Sequence, residues 1–267
     1  MDMPTPTATA QTALELARSE LDAIGQALAS PDGVHESIHA ARKAIRRLRA
    51  LLQLVDGPLD LAVADRILQR TGDSLSALRD AHATIDVARG LARDEGALWE
   101  PVVARLVARR DALLAEALAH DPGFARRRAW VARAARRIDS AAWETLRGRH
   151  LRRGLERGQR RVDKARKQAR REPTPANLHR WRRRVRKLRM QVQAVHRIRP
   201  RLAAAFANDR HDRQVRRLQK LNDRLGRRQD LQVLRELITG MPDAGAHDAL
   251  LAQLDQTEAR IAASRAG

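Results

Sequence analysis

Apolar positions recur along most of this chain at steps of three and four, the period of a helix that buries one face. Such patterns run over about 8–29, 34–55, 59–80, 82–93, 97–119 and 122–138, then over 140–171, 176–198, 201–238 and 244–264. Breakers punctuate them at Ser30-Pro31-Asp32-Gly33, Asp56-Gly57-Pro58, Asp121-Pro122-Gly123, Pro173-Thr174-Pro175 and Gly240-Met241-Pro242-Asp243. Connections this short predict antiparallel neighbours packed as bundles. The expected fold is all-α. Residues 1–7 read as a flexible tail and residues 8–267 as a single domain, because no long linker divides them.

One pattern occurs twice. IHAARKAIRRLRALLQLV, from Ile38, aligns without a gap on LHRWRRRVRKLRMQVQAV, from Leu178, at an offset of 140 residues. The apolar positions 38, 41, 45, 48, 52 and 55 match 178, 181, 185, 188, 192 and 195. A weaker repeat pairs LQRTGDSLSALRD, from Leu68, with LQKLNDRLGRRQD, from Leu218, at an offset of 150. Packing alone accounts for this second motif, including its small residues Ser76 and Gly226. Two repeats in the same order predict two pseudo-symmetric halves, about 8–138 and 140–265.

The stronger repeat carries a second stripe. His39, Arg42, Arg46 and Arg49 step 3-4-3, and they match His179, Arg182, Arg186 and Arg189. Lys43 pairs with Arg183, and Arg47 with Lys187. This stripe is displaced by about 100° from the apolar one, so it borders the core, with cations about every 5 Å along the axis. Stacked like charges repel, and neither copy has a carboxylate between its histidine and its last arginine. Cations placed so at matched positions, twice, predict binding of an external anion.

Composition sharpens this picture. The formal net charge is +21, and the 267 residues include two Phe and no Tyr or Cys. Residues 126–201 hold 28 basic and 5 acidic residues, against 25 and 27 in the rest of the chain. A polyanionic partner is the expectation, and the lack of cysteine excludes disulfide and thiolate chemistry. The densest run is RGRHLRRGLERGQRRVDKARKQARR, residues 147–171. One of its stripes, with Arg153 and Arg157, is expected to join the repeated helices in a common basic groove or pore, while other cations face solvent. Trp99, Trp130, Trp143 and Trp181 read as core residues. The first residues lack a basic and apolar leader, and no apolar run reaches membrane-spanning length; a cytoplasmic protein with no membrane partner is expected.

His35-Glu36-Ser37-Ile38-His39 matches the H-E-x-x-H spacing of zinc hydrolases. The extended zincin form wants Gly and His at positions where this chain has Arg42 and Ile45. The repeat decides against the match: His35 aligns with Pro175 and Glu36 with Ala176, and only His39 keeps its partner. No metal site, catalytic residue or cofactor is predicted. The remaining histidines read as surface residues.

The duplicated pattern I/L-H-x-x-R-x-x-x-R-R/K-L-R resembles the CHAD family, the conserved histidine α-helical domains, and the later helix is similar to that family's L-Q-K/R … L-G-x-x-R-D motif. The resemblance implies two similar helical halves around a basic groove or pore that binds inorganic polyphosphate, without catalysis, at polyphosphate granules. It assigns that role to His39, Arg42, Arg46, Arg47, Arg49, His179, Arg182, Arg186, Lys187 and Arg189, to which Lys43, Arg183, Arg153 and Arg157 are added. The second motif departs from the family pattern at Ser76 and Gln229. The rival reading is a nonspecific nucleic-acid binder. Few aromatic platforms and no helix-turn-helix unit count against it, which leaves weak binding at low salt as a side activity.

Overall fold

The computed structural model describes residues 7–30, 32–93, 96–206, 211–241 and 247–263. Residues 1–6 of the expected flexible tail therefore lie outside the described residues, as do Pro31, Pro242 and Asp243 of the predicted turns. Thr7, counted with the tail, is the N-cap of the first helix and accepts from the Ala10 N–H at 3.3 Å. The described residues form α-helices joined by turns and two short 3-10 segments, with no strand.

Helices α1 (Ala8–Ala29) and α2 (Val34–Val55) form a hairpin, and α3 (Ala62–Ser74) and α4 (Ser76–Leu91) follow. Next come α5 (Gly96–His120), α6 (Ala125–Asp139), α7 (Gly148–Arg171), α8 (Pro175–Ile198) and α9 (Pro200–Phe206), then α10 (His211–Thr239) and α11 (His247–Ala263). Most boundaries follow the sequence pattern. The pattern over 59–80 instead breaks at Leu75, where a 3-10-type bond from its N–H to the Gly72 carbonyl, 3.3 Å, tightens the last turn. The pattern over 140–171 starts late. Trp143 turns inward there, donates from Nε1 to the Ile138 carbonyl at 2.7 Å, and leaves a 3-10 turn at Trp143–Thr145.

The chain divides into two compact units: Met1–Leu75 with Asp121–Asn222, and Ser76–His120 with Asp223–Gly267. Each takes a segment from both halves of the sequence. In the second unit Trp99, Val102, Leu106, Ile85 and Ala88 pack with Leu231, Leu234, Ile238, Leu250 and Leu254. Trp99 is fully buried and donates from Nε1 to Gln253.

The first unit is built from two helical hairpins, α1–α2 and α7–α8. They pack α2 against both α7 and α8. The duplicated apolar stripe makes much of this core. Ile38, Ala41, Ile45, Leu48, Leu52 and Val55 are all buried, as are Val185, Leu188, Val192 and Val195. Leu178 and Trp181 at the start of the second copy are half-buried. Gly154 sets the closest approach of the hairpins: a Cβ there would lie 2.2 Å from the Leu54 carbonyl oxygen of α2. Arg157, one turn on, donates to the Leu54 and Asp56 carbonyls, both at 3.3 Å, and so closes the C-terminal end of α2.

Helix α6 packs on α1 and α3. The buried Arg127 anchors it, donating to the Asp121 carboxylate at 2.7 Å and to the Ser74 hydroxyl at 3.0 Å. Trp130 is not a core residue: it is half-buried, with the Arg70 guanidinium 4.6 Å from its ring centre and that of Arg126 at 5.7 Å. Trp181 is likewise only half-buried. Both sit on helices whose inward face is already filled by aliphatic residues.

Candidate polyanion-binding site

The excess charge belongs to one unit. The first unit carries 41 basic and 18 acidic residues and the second 12 and 14. Within the first unit the repeated basic stripe lies where its period places it, at the edge of the core. Arg42, Arg46, Arg47, Arg49, His179, Arg182, Arg186, Lys187 and Arg189 are half-buried, whereas His39, Lys43 and Arg183 are exposed. Long cationic side chains reach such positions by laying their methylenes on apolar neighbours while the head group stays at the border.

Neighbouring helices relieve part of this charge, which the helix sequence alone does not show. Arg47 makes a two-pronged bond to Glu20 of α1, at 2.7 and 2.6 Å, and the Glu20 side chain is only 8% exposed. Arg49 donates to Asp65 of α3 at 2.7 and 3.3 Å and to Gln69 at 2.9 Å. Arg42 donates to the Gly72 carbonyl. The expectation of uncompensated charge therefore fails for Arg47 and Arg49, because their carboxylates come from other elements.

At the centre of the second hairpin, Arg157, Arg161, Arg184 and Lys187 form no ion pair with a carboxylate among the described residues. Gln53 of α2, Arg157 and Arg161 of α7, and Arg184, Lys187 and Gln191 of α8 line a narrow crevice with about 10 Å³ of free volume, room for a water at most. Gly154 and Gly158 of α7 form its wall, and Gln191 Nε2 donates to the Ala50 carbonyl at 3.2 Å. Lys187 donates from Nζ to Gln53 Oε1, and the Gln53 amide donates in turn to Asp65 at 2.7 Å. Burial, then the charges of Arg184 and Arg49, push the Lys187 ammonium down to about 8, with Arg161 adding to the effect and Asp65 opposing it. Burial and the neighbouring Arg161, Arg183 and Arg180 also lower Arg184. Cations of α7 and α8, with Arg49 of α2 near them, thus meet where burial and like charge both disfavour the Lys187 ammonium. An anion laid across the mouth of the crevice would reverse that penalty.

Two predicted residues of α7 have different places here. Arg157 lines the crevice while holding the end of α2, whereas Arg153 is exposed and is not part of the lining. Arg161 and Arg184 are additions to the predicted set. Arg184 had a sequence signal: Arg180, Arg184, Lys187 and Gln191 step 4-3-4 along the other flank of the apolar stripe. The pairing of that flank with α7 was not readable. Among the described residues, no three His, Asp or Glu side chains come together as a metal site, around His35-x-x-x-His39 or elsewhere. No described helix is long and apolar enough to cross a membrane.

An all-α chain with cations gathered between two hairpins of its first unit is, as a class, a helical domain suited to a polyanion. The sequence profile of the CHAD domain matches residues 12–239, and the chain belongs to the CHAD family. The crystal structure of the CHAD domain from the plant Ricinus communis superposes with a TM-score of 0.57 at 23% identity, covering 100% of this chain and 93% of that one. No match is found among curated proteins.

Proposed function

We propose that this chain is a noncatalytic inorganic polyphosphate-binding protein, associated with polyphosphate granules. The α7–α8 hairpin and the repeated stripes of α2 and α8 hold the polyanion. The observation that carries the reading is the crevice lined by Arg157, Arg161, Arg184 and Lys187, where cations of two helices converge and burial, then neighbouring charges, disfavour the Lys187 ammonium. Membership of a family associated with polyphosphate adds to it. Linear polyphosphate is thin and uniformly charged, so it can follow a row of cations without shape-specific pockets. Affinity then comes from neutralised phosphates and released counterions, with a steep dependence on salt.

The test is competition between long-chain polyphosphate and duplex DNA at about 150 mM salt, where weak nonspecific contacts to DNA fade. Polyphosphate is expected to bind with DNA failing to displace it at equal phosphate concentration; equal affinity for DNA would overturn the reading. The variant with Arg42, Arg46, Arg182 and Arg186 all changed to Glu, checked for helicity, is expected to lose binding. Undiminished binding by it would remove the repeated stripes from the site.

A further inference from the structure

Helix α7 presents a second cationic surface, away from the crevice. Its buried residues are Leu151, Leu155, Val162, Ala165 and Ala169. On the opposite side Arg149, Arg153, Arg160, Lys164, Lys167 and Arg171 are all exposed and follow helical spacing, with Glu156 the one acid in the row. None of these six cations forms an ion pair among the described residues. At about 1.5 Å per residue the row extends about 33 Å. Arg157 and Arg161 point around the helix toward α2 and α8 instead.

Helix stability does not account for this row. Arg149, Arg152 and Arg153 sit in the first turns of α7, where the positive end of the helix dipole disfavours cations and where no acid is present. Burial, and then the charges of Arg149, Arg153 and Arg147, lower His150, the residue whose ring accepts from the Arg147 N–H at 3.1 Å. The face offers no aromatic residue for base stacking, and it offers no exposed apolar residue for insertion into a bilayer. A straight row of six cations interrupted by one carboxylate, Glu156, suits a flexible linear polyanion.

We propose that the solvent face of α7 is a second polyphosphate-binding stripe, so that one copy of this protein holds two polyphosphate segments and bridges them. This rests on the proposed function and adds to it a cross-linking role. Two modest sites on one molecule turn the second binding event into a local one and gather long chains by avidity.

The test compares the unaltered protein with the variant R160Q/K164Q/K167Q, whose changed residues are all exposed, using short-chain and long-chain polyphosphate at about 150 mM salt. At that salt the Debye length is about 8 Å, so the crevice should keep its affinity within about threefold. The unaltered protein is expected to take up two short segments per molecule by calorimetry and to form large light-scattering particles with long chains. The variant should bind one short segment and form no particles. R161E/R184E should instead lose the crevice segment and keep the outer one. Particles that persist in R160Q/K164Q/K167Q overturn the proposal, as does a variant that loses all short-chain binding, which would mean one continuous surface. Displacement of the outer segment by duplex DNA at equal phosphate concentration would also overturn it, in favour of a nucleic-acid face. Failure of the unaltered protein to bind any polyphosphate defeats the proposed function itself, and it shows before any variant is compared.

Discussion

Hairpins α1–α2 and α7–α8 share an apolar plan and differ in charge. Helices α2 and α8 bury matched stripes at an offset of 140 residues, and each packs against the helix before it. Helix α1 carries one basic and three acidic residues, whereas α7 carries eleven basic and two acidic. The matched cations show the consequence. Arg47 meets Glu20 on α1; its counterpart Lys187 meets Arg161 on α7 and Arg184 on its own helix. Glu20 and Arg161 stand 141 residues apart, close to the repeat offset. One hairpin neutralises its border cation internally, and the other leaves the corresponding cation crowded. The two hairpins thus share a packing plan, but the matched cation meets a buried carboxylate in the first and neighbouring guanidinium groups in the second.

The packing side of this comparison breaks most completely at glycine. Gly154→Ala drives a Cβ into the backbone oxygen of Leu54, so the hairpins must separate; about 2–4 kcal/mol of stability should be lost, read as a lower melting temperature and urea midpoint. Gly25→Ala in α1 meets nothing within 4 Å, and it should stabilise by up to about 1 kcal/mol through helix propensity. If both changes behave alike, close approach is not what distinguishes α7.

The electrostatic side breaks at Arg161. Arg161→Glu gives α7 a carboxylate near the place Glu20 holds on α1, so Lys187 gains a partner and the crevice loses its excess charge. Polyphosphate affinity should fall about 10- to 100-fold, with a shallower slope of log affinity against log salt. The converse change, Glu20→Gln, leaves Arg47 without its buried partner. It should cost about 1–2 kcal/mol, since Arg47 stays partly hydrated, while polyphosphate affinity holds or rises. An Arg161→Glu protein that binds normally would make the asymmetry of the hairpins an accident of composition.

These particulars show which information the sequence held. The bounds of α1 and α2 were readable because breakers flank a clean period. The break at Leu75 was not, having no glycine or proline beside it to announce it; nor was the late start of α7, which depends on Trp143 turning back to Ile138. The basic stripe was legible since it is a property of one helix. Its neutralisation by Glu20 and Asp65, and the crevice of Gln53, Arg161, Arg184 and Lys187, belong to helices brought together by packing. Periodicity fixes which residues share a face, but not which face it meets.

The smallest expected effect tests the crowding directly. Around Lys187 stand Arg184 on α8, Arg49 and Gln53 on α2, Asp65 on α3 and Arg161 on α7. Because its folded-state pKa lies near 8, below the ordinary 10.5, the amine is charged at pH 7 and loses its proton as pH rises through about 8. A bound phosphate favours the ammonium, so polyphosphate affinity should weaken by about three- to tenfold between pH 7 and pH 9, one charge contact being lost. The free protein should move the other way. Between about pH 8 and 10.5 the unfolded chain holds a proton at this site that the folded one has released, so stability rises with pH over that window. Lys187→Met should remove both trends, and Lys187→Arg should keep binding flat with pH, its guanidinium remaining charged throughout. Parallel titrations of affinity and urea midpoint separate these outcomes. Opposite slopes that vanish together in Lys187→Met place the crowded cation in the site, whereas a pH dependence surviving in that variant assigns it to other groups.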